Sequence, residues 1–168
     1  MNLSVTKKLA ACIVAAAFLF SFTTIADKAI FAGSWTLNES KSELGNFGRF
    51  AARKIKVEQK EDAITISKTS ASPGGDDVTT TETLTFDGKT SETTVFGASK
   101  KKSVAKWSED GKTLSITYTI AFERNGQTFD INGTETWTLA DEGKSLSVQT
   151  VSSSPQGERT TKAVYDKE

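Results

Sequence analysis

Two carboxylates draw attention because of where the alternation of the chain puts them. Glu82 shares parity with Leu84 and Phe86, and Glu135 shares parity with Phe129, Ile131 and Trp137, so on an extended strand each acid turns toward the apolar side. A carboxylate in that position costs free energy unless it is paired, hydrogen-bonded or near water. It could hold the polar head of an amphipathic ligand. Two carboxyl groups about 5–10 Å apart in an open cleft could instead hydrolyse a glycosidic bond. Three alternatives stand beside these: a bulge at Asn132-Gly133 that turns Glu135 outward and Trp137 with it, a place at the rim of a barrel, and, for Glu82, a different register. The absence of histidine removes Ser-His-Asp and Cys-His nucleophiles, His-ligated zinc and ordinary haem attachment. No catalytic residue, metal or cofactor is therefore expected, and binding is favoured over catalysis.

The elements that must hold these acids are strands. From Lys54 onward Ser and Thr interleave with Val, Ile, Leu and aromatic residues, the period of a half-buried antiparallel sheet. Asp87-Gly88, Asp110-Gly111, Asn125-Gly126 and Glu142-Gly143 punctuate the strands as hairpin turns do, a reading preferred over an acidic metal-binding series. A turn at Asp110-Gly111 sets Trp107 opposite Leu114 and Ala105 opposite Ile116; one at Asn125-Gly126 sets Phe122 opposite Phe129 and Ile120 opposite Ile131. An even loop after Leu139 sets Trp137 opposite Val148, and a turn at Lys60-Glu61 sets Val57 opposite Ile64 and Ile55 opposite Ile66. The four hairpins agree on one apolar face, and a one-residue slip would reverse each of them. The spacing predicts about ten strands joined by short hairpins. The fold class expected is all-β: an antiparallel up-and-down β-barrel of about 8–10 strands with a short helix or loop after the first strand.

That helix or loop falls in residues 38–53, where Ser40-Lys41-Ser42-Glu43 fits a capping box and Leu44, Phe47 and Phe50 recur near helical spacing, while Gly45 and Gly48 weaken a helix. It could be a lid or a plug. Residues 1–26 read as a signal peptide: Lys7 and Lys8, an apolar run from Leu9 to Phe22 too short to span a membrane, and small residues at Thr24 and Ala26 before a cleavage site. The domain is then 27–168, periplasmic or secreted. A lipoprotein anchor at Cys12 is disfavoured because most of the apolar run follows it. Basic and acidic residues balance at 21 each, and removing residues 1–26 leaves 19 against 21. Neither balance recruits nucleic acid, and no membrane span is expected. Lys100-Lys101-Lys102 reads as a solvated turn, although Lys101 could reach an acidic ligand or partner, and Asp76-Asp77 reads as a loop.

Gly33-Ser34-Trp35, on the first strand of a long meander, resembles the G-x-W signature of lipocalins and the wider calycin group, and Leu37 to Ser42 is similar to small exported bacterial proteins described as lipocalin-like. The resemblance implies that Trp35 closes one end of the barrel and that Arg159, on the last strand, packs across it. A Thr-Asp-Tyr triplet, a cysteine in the mature chain and a helix after the last strand are all missing. The ten strands and the insertion after the first look closer to the fatty-acid-binding branch. The function expected is binding of a small hydrophobic or amphipathic molecule inside the barrel by Trp35, Glu82, Trp107, Tyr118, Phe122, Phe129, Glu135 and Trp137. The alternative is an envelope structural or interaction module whose barrel is filled by these same rings, with no protein partner identified.

Overall fold

A computed structural model describes residues 27–71, 75–124 and 126–168. The signal-peptide segment 1–26, with Lys7, Lys8 and Cys12, lies outside the described residues, as does Asn125. Ten strands form one antiparallel sheet: β1 (Gly33–Leu37), β2 (Lys54–Gln59), β3 (Ala63–Ala71), β4 (Asp77–Thr85), β5 (Ser91–Val95), β6 (Ser99–Trp107), β7 (Thr113–Arg124), β8 (Gln127–Ala140), β9 (Ser145–Ser154) and β10 (Gly157–Lys167). Their order, β4-β3-β2-β1-β10-β9-β8-β7-β6-β5, is a meander closed by pairing of the first strand with the last. β4 and β5 are its two edges, so the barrel has one seam and is otherwise continuous. This is the antiparallel up-and-down barrel expected. No helix among the described residues is long and apolar enough to cross a membrane.

Three of the four hairpin registers stand as expected. Trp107 faces Leu114, Ala105 faces Ile116, Ile120 faces Ile131, Phe122 faces Phe129 and Trp137 faces Val148. Pairing runs unbroken through Asn132 and Gly133 on both sides of β8, so no bulge turns Glu135 away from the lumen. The Asp side chains set the tight turns: Oδ1 of Asp87 accepts from the amide of Lys89, and Oδ1 of Asp110 from that of Lys112, but the turn at Asp87-Gly88 closes no hairpin, because β4 and β5 do not pair and it leads across the seam. Gly88 and Gly111 then take φ of 78° and 67°, which only glycine adopts without strain.

The β2–β3 hairpin differs. Val57 pairs with Ile66, Ile55 with Lys68, and Gln59 with Ile64. The turn is one residue later than expected, which shifts the register by two and leaves every side chain on its expected face. The reason lies outside the hairpin. Gln59 faces the N-terminal arm, where its Oε1 accepts from the amide of Phe31 and its Nε2 donates to the carbonyl of Ala29.

All hairpin tips between β3 and β4, β5 and β6, β7 and β8, and β9 and β10 lie at one end, called upper here; the N-terminal arm and the other tips lie at the lower end. The insertion after β1 rises toward the upper end as two 3₁₀ turns, Glu39–Lys41 and Gly45–Phe50. It does not form the expected capping box. Asn38 is the cap, its Oδ1 accepting from Lys41, while the hydroxyl of Ser42 accepts from the amide of Val164 and donates to the carbonyl of Asn38. Glu43 and Lys162 exchange backbone hydrogen bonds, so the segment is pinned along β10 where a helix could not lie. Leu44 and Ala52 pack on the core; the side chains of Phe47 and Phe50 lie outside the described residues.

Candidate functional site

The lower half of the barrel is sealed by its own side chains. Phe31, Trp35, Trp137, Ile64, Leu84, Leu114 and Leu146 are fully buried. Phe31 stacks on Trp107 with centroids 5.6 Å apart and meets Trp137 edge-on at 5.9 Å, and Phe86 closes on Trp107 at 5.4 Å. The indole N–H of Trp35 donates to the carbonyl of Phe31, while that of Trp107 has no acceptor among the described residues. Trp35, Trp107 and Trp137 are thus floor, as the filled-barrel alternative requires of them.

Arg159 does not pack across Trp35. It pairs with Ser152 toward the upper end and its guanidinium donates to Gln156, whereas Trp35 pairs with Lys167, whose ammonium lies 5.3 Å from the indole centroid. A cation does cover this tryptophan, from a different position on the last strand.

Above the floor lies a charged layer. Glu82 on β4 and Glu135 on β8 both face inward, only 6% and 7% exposed. Lys68 on β3 crosses the lumen to Glu135 and donates to both of its oxygens, at 2.6 and 2.7 Å. The indole N–H of Trp137 donates to the same carboxylate at 2.9 Å. Lys101 on β6 donates to Glu82 at 2.7 Å, the Ser103 hydroxyl on the same strand donates to the other Glu82 oxygen at 3.2 Å, and both bonds reach across the seam from β6 to β4. Tyr118 lies under the Lys101 ammonium, 5.0 Å from its ring centroid, and folds over Gly133, its cross-strand partner, where a side chain would overlap its ring.

The four charges act on one another. Burial drives Glu135 toward its neutral form, but the fields of Lys68 and Lys101, with hydrogen bonds from Lys68 and Trp137, prevail and hold it down at about 2. Burial likewise opposes the charge on Lys68, and Glu135 and Glu82 together raise it above its ordinary value. Burial first, then Glu135 and Glu82, push the Tyr118 phenol up to about 12; burial and Glu135 also raise Tyr165.

Lys100-Lys101-Lys102 is therefore not a solvated turn. It lies within β6, with Lys101 only 7% exposed. Lys101 has the parity of Ala105 and Trp107, and Lys68 that of Ile64 and Ile66, so the same alternation that turned the two acids inward also turns the two cations that meet them.

Above the charged layer the lumen changes character. Ser70, Phe122, Phe129 and Ile131 face inward by register, yet each is only partly buried, as are Thr80 and Thr150, the cross-strand partners of Lys68 and Glu135 at the level of the charged layer; Ile120 and Val95 are the buried members of this region. At the rim Phe96, 72% exposed, stacks on Phe122 at 5.5 Å. Two concavities lie on the outer face instead: a groove of about 670 Å³ across β6 to β9, floored by Val104 and Val151 between threonines, and one of about 330 Å³ beside Lys54 and Glu168. Of the expected ligand residues, Glu82, Tyr118 and Glu135 meet in the charged layer, Phe122 and Phe129 stand above it, and the three tryptophans stand below. Lys68, Lys101 and Ser103 were not among them.

No family profile and no curated protein matches this chain. Among solved structures, the chain is similar to zebrafish ileal bile acid-binding protein complexed with cholic acid, 19% identical over 82% of this chain and 98% of that one, with a TM-score of 0.49.

Proposed function

We propose that this chain is a carrier that holds a small apolar or amphipathic molecule in the upper half of its barrel. The observation that carries this reading is the contrast along the lumen. Inward side chains below the charged layer are sealed, whereas Phe122, Phe129 and Ile131 above it face inward and stay partly exposed. Partly exposed apolar walls over a polar floor are an arrangement that can take a ligand tail and orient its head. We also infer export, with residues 1–26 removed near Ala26.

A second reading is favoured by the mutual satisfaction of the charged layer: both carboxylates already have partners, as they would in a purely structural plug. Ser70→Trp, one inward step above Lys68 on β3, separates the two. On the carrier reading, the new ring occupies open lumen, so binding of the neutral fluorescent probe N-phenylnaphthylamine is lost while thermal stability holds. On the structural reading the wild type binds no probe, and the added bulk overpacks the interior at a cost of about 1–3 kcal/mol. Failure of the wild type to bind apolar probes would overturn the carrier reading.

A further inference from the structure

Resting on the carrier reading, we propose that the lumen selects uncharged amphipathic molecules, with a hydroxyl or ester head, over free carboxylates. The floor of the lumen is charge-balanced. Its two ammonium groups, Lys68 and Lys101, each already hold a buried carboxylate, at 2.6 and 2.7 Å. A carboxylate head descending to this layer has two courses. It can take Lys68 from Glu135, leaving a buried anion without its cation, or it can lie as a third anion beside two others; both are unfavourable where water is scarce.

An uncharged head meets neither obstacle. Lys68 donates to the two oxygens of Glu135, an ammonium carries three N–H donors, and its side chain is still 24% exposed. The hydroxyls of Tyr118 and Thr150 lie on the neighbouring inward positions of β7 and β9 and can accept from or donate to an alcohol or carbonyl. The guanidinium of Arg159 stands higher on β10, where it donates to Gln156. Selectivity thus resides in the Lys68–Glu135 pair. Removing the Glu135 charge releases one buried ammonium toward the lumen, and the preference inverts.

The test is displacement of bound N-phenylnaphthylamine by dodecanol and by dodecanoate, at about pH 8 where the acid is ionised. The full mature protein, Glu135→Gln and the double variant Lys68→Met/Glu135→Gln are compared. Dodecanol should displace the probe from the wild type at a concentration lower by about tenfold or more. Glu135→Gln should prefer dodecanoate. The double variant, neutral again, should return to dodecanol, and it decides the matter together with the wild type if the single variant does not fold. A wild type that takes dodecanoate as well as dodecanol overturns the selectivity and leaves the carrier reading standing, as does a folded Glu135→Gln with an unchanged order. A wild type that binds neither the probe nor either lipid overturns both.

Discussion

Glu135→Gln also tests the electrostatics of the charged layer without any ligand. Near neutral pH the substitution leaves the Lys68 ammonium, 24% exposed, without its carboxylate, and breaking a mostly buried pair from one side costs about 3 kcal/mol. This penalty must depend on pH. In the folded protein Glu135 is held at about 2 against an ordinary 4.5, a difference worth about 3 kcal/mol. A depressed carboxylate contributes that stability above its unfolded value and loses it as pH falls through its folded value. The wild type should therefore forfeit it between 4.5 and about 2, while the glutamine variant has nothing comparable to lose. Other acids are depressed too, among them Asp87, Asp110 and Asp166, but they are present in both proteins and cancel in the difference. Lys68 is raised above its ordinary 10.5, so its titration lies far outside this acid window. Urea melts followed by tryptophan fluorescence, in steps of pH across the window, give the difference directly. A destabilisation of several kcal/mol that shrinks to about 1 kcal/mol at the acid end is expected. A penalty that stays constant across the window, or none near neutrality, would refute the account of this layer.

Gly133→Val should destabilise by about 2–4 kcal/mol, because its side chain would displace the Tyr118 ring, and adding Tyr118→Ala should recover part of that loss in thermal melts. Intact-mass analysis of the protein made by its own host should find a chain beginning at Asp27; a full-length chain would remove the export reading, and a lipid on Cys12 would replace cleavage near Ala26 with a lipid anchor.

The sequence carries the faces of this barrel better than its distances. Alternation places Glu82 and Glu135 inside because their strands run in register without bulges, and the hairpin partners of Trp107, Phe122 and Trp137 follow from the turn residues between them. Alternation is blind to a shift of two, which is why the β2–β3 turn moves without altering a face. What fixes it is Gln59 reaching Phe31 and Ala29, a contact far along the chain. Lys68 and Lys101 were legible in parity but overlooked through their type, since an exposed face is the ordinary home of lysine. Two buried carboxylates require cations, and that requirement is the signal that would have found them. The three-residue Gly33-Ser34-Trp35 motif identifies the end of the barrel that Trp35 seals, but it cannot specify which cation on the last strand lies over the ring; Lys167 does, and Arg159 does not.

The seam between β4 and β5 bears on how the chain finds this shape. The hydrogen-bonded closure joins β1 to β10, so the ends of the domain must meet, Trp35 beside Lys167, before the ring exists. That is the pairing with the largest loop to close and the greatest entropic cost, and it favours a slow, late step in folding. The open seam falls where the chain itself runs from one edge to the other through residues 86–90, so a short covalent tether does what ladder hydrogen bonds do elsewhere. Cutting the chain in that connection and linking Glu168 to Asp27, with the arm that carries Phe31 retained, would turn the domain into a strictly sequential meander, in which every hydrogen-bonded neighbour is also a neighbour in sequence. Folding would lose its longest search. The two edges would then be held by Glu82, Lys101 and Ser103 in place of the tether.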